Sequence, residues 1–157
     1  MNKIEVAVIG SGKLGASIAR KLCSQGKNVL VIDVRHQAFL KLEDYSGFYE
    51  EGNALDIDFL IEHGIKDCDT IVLTTNNDNT NLFLADLCHD IFHIPHIYLR
   101  LNDARKKKLV EARGIECICP FLLSLDYFND LCGEGGFQDE NSYCKWKTRS
   151  RLYYWYV

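Results

Sequence analysis

A glycine-rich turn near the amino terminus constrains the fold of this chain more than any other feature. It follows residues 4–9, which are apolar and largely β-branched, as a buried parallel strand requires. The turn reads GSGKLG (residues 10–15, the glycine loop), and apolar residues then recur at helical spacing as far as Gly26. A strand, a glycine loop and a helix in this order direct backbone N–H groups and a helix N-terminus at one point, which predicts a phosphate-binding site.

The glycines of this loop have different expected roles. Gly10 permits the tight turn out of the strand, Gly12 lets the backbone approach a pyrophosphate, and Gly15 lets the helix pack against the sheet. Lys13 adds positive charge beside the phosphates. The alternative is a glycine turn that binds nothing.

An aspartate follows the next predicted strand, residues 28–32. This residue, Asp33, lies 18 positions after Gly15 in the sequence, and a carboxylate at such a distance is expected to accept hydrogen bonds from ribose hydroxyls. It would repel the 2′-phosphate of NADP, so an unphosphorylated adenosine is favoured, although Arg35 lies close enough to weaken that preference. The alternative is that Asp33 is a surface carboxylate.

Strand and helix patterns alternate six times along the chain, with short connections. This alternation predicts an α/β fold, a Rossmann-like doubly wound parallel sheet with strand order 3-2-1-4-5-6. Helices are expected at residues 36–45, after an Asn53 cap, and from Asp103 to Arg113. We assign residues 1–132 to one nucleotide-binding domain.

The remaining residues, 133–157, form a tail that is too short for an independent domain. It opens on a glycine-rich breaker cluster and ends in an aromatic run, residues 153–156. An exposed run of this kind would be an adhesive patch. The tail either packs on the first domain or on a partner chain, or it begins something longer.

A second candidate region surrounds the predicted fourth strand. In a doubly wound sheet, ligands bind outside the carboxyl ends of the strands, beside the switch point between strands one and four. Thr75 and Asn76 suit hydrogen bonds to ribose or phosphate, whereas Asp78 and Asn81 fit ligand contact and helix capping equally well. Asn53 either approaches the adenine or caps a helix. The polar cluster consists of Asp69, Thr74, Thr75, Asn76, Asp78 and Asn81.

Composition narrows the classes of protein further. The chain is 47% hydrophobic, which suffices for a packed core, and its net charge of -4 argues against nucleic acid as a partner. The basic run at residues 105–108 is interpreted as a solvated helix face. Seven scattered cysteines without a Cys-x-x-Cys motif indicate a reduced compartment, with neither disulfides nor a metal site. The alternative is a redox or metal pair at Cys117 and Cys119. The absence of a signal sequence or a long apolar segment predicts a cytoplasmic protein.

Several segments together resemble one known family over residues 3–131. They read VAVIGSGKLGASIARKL, VLVID, EEGNALD, DCDTIVLTTNNDNTNL, IYLRLND and GIECICP. The combination is similar to the nucleotide-binding domain of potassium-transport regulators, the RCK or KTN family, also called the Trk N-terminal domain. The resemblance implies a cytoplasmic regulatory subunit that binds NAD(H), ATP, ADP or AMP and forms dimers or rings beneath a potassium channel or transporter.

The resemblance also implies roles for individual residues. The glycines and Lys13 would bind phosphates, Asp33 the ribose, Asn53 and Thr75 the adenosine side, and Arg100 would face the site or a neighbouring subunit. The expected binding residues are Gly10, Ser11, Gly12, Lys13, Leu14, Gly15, Asp33, Val34, Arg35, Asn53, Ala54, Thr74, Thr75, Asn76, Asn81 and Arg100. Asn53 stands where the family usually has aspartate, so nucleotide preference stays open. Most full-length members continue into a second, ligand-sensing domain, so the chain is a fragment, a stand-alone form or a variant.

Three functions are compatible with these features. The first is a non-catalytic nucleotide switch that gates a membrane partner. The second is a nicotinamide-dependent oxidoreductase fragment, which lacks residues for a substrate domain and a positioned acid or base. The third is a scaffold that binds a nucleotide only to stay folded. The last helix, from Pro120, carries more apolar side chains than one sheet face needs, so we expect at least a homodimer.

Overall fold

The computed structural model describes residues 3–42 and 44–132, and within them six strands form one parallel sheet. The strands are β1 (Val6–Ile9), β2 (Val29–Asp33), β3 (Phe48–Glu51), β4 (Thr70–Leu73), β5 (His96–Arg100) and β6 (Glu116–Ile118). The α-helices are α1 (Lys13–Ser24), α2 (Ile57–Glu62), α3 (Asp78–Asp90) and α4 (Pro120–Cys132).

The strand order is β3-β2-β1-β4-β5-β6, which confirms the order predicted from the alternation. β1 occupies the centre, where Val8 pairs in parallel register with Val31 of β2 and with Val72 of β4. After β3 the chain crosses back over the sheet and continues on the other side of β1. This reversal makes β1 and β4 the switch point, and it leaves a crevice at their carboxyl ends.

Each face of the sheet has its own hydrophobic core, because successive side chains of a strand point to opposite sides. On one face Val8 packs with Ala19 of α1 and with Phe39. On the other face the larger cluster includes Leu60 of α2 and Leu84 of α3. Burial on both faces explains why the central strands read as continuous apolar runs rather than as alternating patterns.

The helix predicted at residues 36–45 is wrong in type and in length. The structure has a 3₁₀ helix at His36–Lys41, whose bonds join groups three residues apart, such as Leu42 N–H to the carbonyl of Phe39 at 2.8 Å. The tighter turn rotates the side chains relative to an α-helix. Phe39 and Leu42 are therefore buried, whereas Leu40 is 72% exposed, although its apolar side chain predicts an inward position.

The basic helix predicted from Asp103 to Arg113 is divided in the structure. Two 3₁₀ helices, Ala104–Leu109 and Glu111–Arg113, are separated by Val110. Val110 is buried in the core and has φ of -123°, far from the α-helical value of about -63°. Burial of this one apolar side chain interrupts the helix that the pattern predicts.

The cap of α2 is Asp56 rather than the predicted Asn53. The Asp56 carboxylate accepts hydrogen bonds from the N–H groups of Asp58 at 3.1 Å and Phe59 at 3.2 Å. The side-chain oxygen of Asn53 instead accepts a bond from Leu55 N–H at 3.0 Å, which turns the chain after β3. Both residues have the chemistry of a cap, and only the backbone path distinguishes them.

Two further expectations concern the carboxyl-terminal tail and the absence of a membrane-spanning helix. The tail at residues 133–157, with its aromatic run, lies outside the described residues. Within residues 3–42 and 44–132, each helix is too short or too polar to span a lipid bilayer.

Candidate functional site

A cavity of about 390 Å³ opens at the carboxyl ends of β1 to β4, beside the switch point. Most of the predicted binding residues line it, namely Gly10, Gly12, Asp33, Val34, Arg35, Asn53, Ala54, Thr74, Thr75 and Asn76. The sequence reasoning missed Ile9, Ile32, Gly52, Leu55, Asn77 and Thr80. Several of these end or follow a strand, so the rule that ligands bind at carboxyl ends could have found them. The predicted residues that do not line the cavity are Ser11, Lys13, Leu14, Gly15, Asn81 and Arg100.

The glycine loop closes the floor of the cavity with its backbone. Gly10 has φ of +101° and donates its N–H to the carbonyl of Ile32 at 2.7 Å, so the chain turns sharply out of β1. A Cβ on Gly15 would overlap the carbonyl oxygen of Gly10, so only glycine lets α1 pack this closely on the loop. These geometries agree with the turn and packing roles expected of the two glycines.

Gly12 is surrounded by open space, in contrast to the crowded Gly15. No described atom lies within 4 Å of a Cβ placed on it, and it lines the cavity at the residue just before α1. A ligand can therefore approach the backbone here without meeting a side chain. The N-terminus of α1 has no acidic residue in its first turn, so its positive end is not neutralised from within the helix.

Asp33 forms the wall of the cavity opposite Gly12, and the residue is 7% exposed. Its carboxylate accepts hydrogen bonds from Ser11 N–H at 2.8 Å and from Arg35, through the backbone N–H at 3.0 Å and Nε at 3.3 Å. Two carboxylate oxygens offer about four acceptor positions, so roughly one remains for a ligand hydroxyl. The positive charge of Arg35 also offsets part of the negative charge of Asp33, which would otherwise repel the 2′-phosphate of NADP.

Ser11 and Lys13 belong to the loop but point away from the cavity. The Ser11 hydroxyl is buried and donates to the carbonyl of Ala38 at 3.1 Å, which ties the loop to the 3₁₀ helix after β2. Lys13 lines a separate surface depression with Arg20 and Lys41. The two side chains are thus placed to support the loop and to charge the neighbouring surface.

The segment after β4, residues 74–81, bonds mainly to the protein itself; it comprises a loop and the first turn of α3, and is called the polar loop below. The Thr74 hydroxyl lies 3.1 Å from the carbonyl of Ile9 and 2.9 Å from that of Gly10, joining the two central strands. Asn81 is fully buried, and its oxygen accepts bonds from the N–H and hydroxyl of Thr75. Its amide nitrogen donates to the carbonyls of Thr75 at 3.1 Å and Arg100 at 2.9 Å.

The prediction that Asn81 contacts the ligand is therefore corrected. All four hydrogen-bonding positions of its amide are filled by protein groups, and none of its surface is exposed. Asp69 is also misplaced by the sequence reasoning. It precedes β4 at the amino edge of the sheet, where it pairs with Lys3 at 2.9 Å, far along the strand from the cavity.

Asp78 proves to hold the loop after β5 in place. Its two carboxylate oxygens accept the N–H groups of Asn102 and Asp103, each at 2.9 Å, while Asn77 caps α3. Burial raises the pKa of Asp78, but the two N–H bonds and the nearby Lys106 charge outweigh it and hold the pKa below its usual value of 3.8. Asp78 is thus an ionised structural anchor.

Arg100, the last residue of β5, reaches the back of the cavity wall rather than the cavity. Its Nη1 donates to the side-chain oxygen of Asn76 at 3.0 Å, and its Nη2 donates to that of Asn102 at 3.0 Å. One pocket-lining amide therefore separates the guanidinium from the cavity.

The thiols of Cys68 and Cys88 lie outside the cavity, in the hydrophobic core. Burial raises the pKa of the Cys68 and Cys88 thiols to about 12, so both stay protonated in the core at neutral pH. Among the described residues, histidine, cysteine and carboxylate side chains form no group that could hold a metal ion.

The fold defines a Rossmann-type domain, with a cavity at the switch point between β1 and β4. The family model of the TrkA-N domain matches residues 6–120, and the chain belongs to that family. This match confirms the resemblance to the Trk N-terminal domain that the sequence segments indicate.

Two curated relatives illustrate the relationship. The Trk system potassium uptake protein TrkA of Streptomyces coelicolor is 27% identical over 116 residues, which is 73% of this chain and 52% of the relative. A TrkA homolog from Pyrococcus abyssi is 30% identical over 107 residues, which is 68% of this chain and 47% of the relative. The chain thus spans about half the length of the curated relatives that it matches.

Solved structures share the fold at lower identity. The GsuK channel bound to NAD superposes with a TM-score of 0.72 at 22% identity, covering 83% of this chain and 23% of that chain. The Kef CTD of Shewanella denitrificans in its AMP-bound form has a TM-score of 0.70 at 21% identity, covering 83% of each chain. Both solved structures share the fold of this chain.

Proposed function

We propose that this chain is the nucleotide-binding regulatory module of a potassium uptake system. The observation that carries the proposal is the cavity, which has an open backbone at Gly12 on one wall and the Asp33 carboxylate on the other. The ligand is NAD(H) or an adenine nucleotide such as ATP, ADP or AMP. Support comes from the TrkA names of the relatives and from the NAD and AMP bound to GsuK and to the Kef CTD.

The cavity suits such a ligand in size and in chemistry. Its volume lies within the range of roughly 300–1,000 Å³ that is typical of small-molecule sites. Phosphates would lie against Gly12 at the N-terminus of α1, and a ribose hydroxyl would donate to Asp33. Val34, Ala54 and Leu55 give the cavity an apolar side for the adenine ring.

The composition of the wall favours a switch over an enzyme. Among the described residues, Asp33 and Arg35 are the only ionisable side chains that line the cavity, and they are hydrogen-bonded to each other. General acid–base catalysis needs a titratable group within hydrogen-bonding reach of the substrate, and this pair is already engaged. We therefore propose a non-catalytic role in which bound nucleotide changes the state of an assembly.

The assembly is proposed to be a homo-oligomer, at least a dimer, joined through α4. Phe121 and Phe128 on this helix are 69% and 59% exposed, and Leu123, Tyr127 and Leu131 are exposed beside them. A large apolar surface of this kind is typical of an interface between proteins.

Through its membrane partner, the assembly would lie at the cytoplasmic face of the membrane. Analytical ultracentrifugation of Phe121→Ser/Phe128→Ser should show monomers, while Leu109→Ser, an exposed leucine outside α4, keeps the wild-type mass.

The nucleotide claim is tested by calorimetric titration of the full chain with NADH, NAD, ATP, ADP and AMP. We expect at least one of them to bind, and Asp33→Ala to weaken binding by about tenfold, since a lost hydrogen bond to a charged group is worth about 1.5 kcal/mol or more. Asp69→Ala is the matched control, because it removes the same charge at the opposite edge of the sheet. If the wild type bound none of the five nucleotides, the proposal would be overturned.

The regulatory claim needs its own measurement. Potassium uptake by cells that express the chain with a Trk-type membrane subunit should depend on the chain, and a nucleotide-binding variant should lose that dependence. Hydride transfer from NADH to any of a panel of small carbonyl compounds would contradict the non-catalytic role.

A further inference from the structure

Arg100 bridges the cavity wall and a loop that does not touch the cavity. Its Nη1 donates to the side-chain oxygen of Asn76, which lines the cavity, and its Nη2 donates to that of Asn102, which does not. Both distances are 3.0 Å. One planar guanidinium therefore fixes the spacing between the polar loop after β4 and the loop after β5.

Asn102 links Arg100 to the carboxyl-terminal part of the domain through further hydrogen bonds. Its side-chain nitrogen lies 3.0 Å from the Asp78 carboxylate and 3.3 Å from the carbonyl of Asn76. The N–H groups of Asn102 and Asp103 bind the same carboxylate. The chain then runs through Ala104–Leu109 and β6 into α4, the helix with the exposed apolar surface.

The bonding of Arg100 leaves it open to a better partner. Its Nε is buried, and none of the described residues accepts a hydrogen bond from it. Its two bonded partners are neutral amide oxygens, and a charge-assisted bond from arginine to phosphate is roughly twice as strong as a bond between neutral groups. An unmatched buried donor also raises the free energy of the present arrangement.

Two other cations near the cavity lie at different positions. Arg35, the only cation that lines the cavity among the described residues, is bonded to Asp33. Lys13 opens onto a separate depression. A phosphate that extends from the glycine loop toward Asn76 would lie beside Arg100, because Asn76 accepts a hydrogen bond from the Arg100 Nη1.

We propose that Arg100 is a latch that couples occupancy of the cavity to the loop at residues 101–103. A nucleotide phosphate beside Asn76 draws the guanidinium away from Asn76 and Asn102, and the loop then moves relative to β4. The shift is passed along the chain toward α4, where it alters the proposed assembly surface. This inference rests on the proposed nucleotide-binding function, for which it supplies the route of regulation.

The latch is tested by NMR of the full chain, labelled with ¹⁵N and titrated with ADP and with NAD. The side-chain Nε–H signal of Arg100 reports the guanidinium directly, and the amides of Asn102 and Asp103 report the loop. We expect ligand to shift all three signals together with the amides of the glycine loop. The Arg100 Nε–H shift is sensitive to its hydrogen-bonding partner, and a parallel shift at Asn102 and Asp103 distinguishes the latch from a ligand that only lies near Arg100.

Arg100→Lys separates the latch from binding. Lysine keeps the positive charge but cannot bridge two amides, so affinity should change by less than about tenfold while the response at Asn102 and Asp103 disappears. Arg113→Lys is the matched control, since Arg113 pairs with Asp86 and Asp90 of α3 rather than with Asn102 or Asp103, and it should behave as the wild type. If Arg100→Lys fails to fold, Asn102→Ala removes the other end of the latch and should likewise abolish the Asp103 response.

The outcomes are distinguishable. If ligand shifts the glycine loop but leaves Arg100, Asn102 and Asp103 unmoved in the wild type, the latch is overturned and the nucleotide-binding function stands. An unchanged Asp103 response in both variants also overturns the latch. If neither nucleotide shifts the glycine loop, the proposed function itself fails, and the latch fails with it.

Discussion

The glycine loop and the polar loop both leave the centre of the sheet at its carboxyl edge, yet they are built in opposite ways. In the glycine loop the backbone faces the cavity, and the one hydroxyl, on Ser11, turns into the protein. In the polar loop the side chains bond to each other and to neighbouring strands, as Asn81 does with Thr75 and Arg100. Thr75 and Asn76 still line the cavity.

The difference shows that a high density of polar side chains does not by itself mark ligand contacts. Buried polar groups need hydrogen-bond partners, and the polar loop supplies them from within the protein. The glycine loop leaves its backbone open to the cavity because Gly12 lacks a side chain there. Substitutions should therefore affect stability in one set of positions and nucleotide affinity in another.

The largest effect is expected at Gly15. Alanine would raise the helix propensity of this position by about 1 kcal/mol. The added Cβ would, however, overlap the carbonyl oxygen of Gly10 and come within 2.5 Å of the Thr74 hydroxyl. Since overpacking costs roughly 1–3 kcal/mol or more, we expect Gly15→Ala to lower the free energy of unfolding by roughly 2–3 kcal/mol in urea denaturation. A wild-type midpoint would contradict the close packing of α1 on the loop.

Asn81→Ala should have the next largest effect and should act on stability. It leaves the Thr75 N–H and the Thr75 and Arg100 carbonyls without their partner in a buried site. Each unsatisfied buried group costs roughly 1–3 kcal/mol, so we expect a loss of about 2 kcal/mol in the free energy of unfolding. Asn76→Ala, at an exposed residue of the same loop, is the matched control and should cost under about 1 kcal/mol. Equal losses of unfolding free energy in the two variants would contradict the distinction between the buried, structural Asn81 and the cavity-lining Asn76.

Gly12→Ala should change affinity with little change in stability. The new Cβ meets no described atom within 4 Å, so the fold accommodates it, and replacing a glycine cap by alanine costs under about 1 kcal/mol. In the complex, the methyl group would stand where the backbone approaches the phosphates. We expect nucleotide affinity to fall by about tenfold, or about 1.4 kcal/mol, in calorimetric titration. Unchanged affinity would show that the phosphates do not pass this residue.

The smallest effect concerns the pH dependence of Asp78. Because its pKa is lowered on folding, its carboxylate contributes stability above the usual value of 3.8 and loses it as the pH falls through the lower folded value. We expect Asp78→Asn to lower the free energy of unfolding by about 1 kcal/mol at pH 7, and the difference from wild type to shrink as the pH falls below 3.8 and through the lower folded pKa.

The check is urea denaturation from pH 7 down into the acid range. Asp67→Asn, at an exposed aspartate near the amino edge of β4, serves as the matched control. A wild-type advantage over Asp78→Asn that grew as the pH fell would contradict the anchoring role.

Much of the fold and part of the site could be predicted from local signals. The apolar strands, the glycine loop and the alternation of elements predict the strand order, because each depends on residues close together in the chain. Gly12 and Asp33 were found because they occupy fixed positions after a strand. The cap of α2 was missed because Asn53 and Asp56 have similar chemistry. The 3₁₀ helix at His36–Lys41 was missed because the apolar spacing alone does not distinguish its tighter turn from an α-helix.

The sequence alone determined the doubly wound sheet and the position of the glycine loop at the carboxyl end of its first strand. Only the tertiary structure decided that Asn81 supports the loop, that Asp78 anchors Asn102 and that Arg100 stands behind Asn76. Their partners lie 19 to 24 positions away in the chain. Periodicity and turn chemistry specify the local backbone, but the partner of a polar side chain depends on which strands become neighbours. The glycine loop needs no such partner, because the absence of a side chain is itself the property that shapes its site.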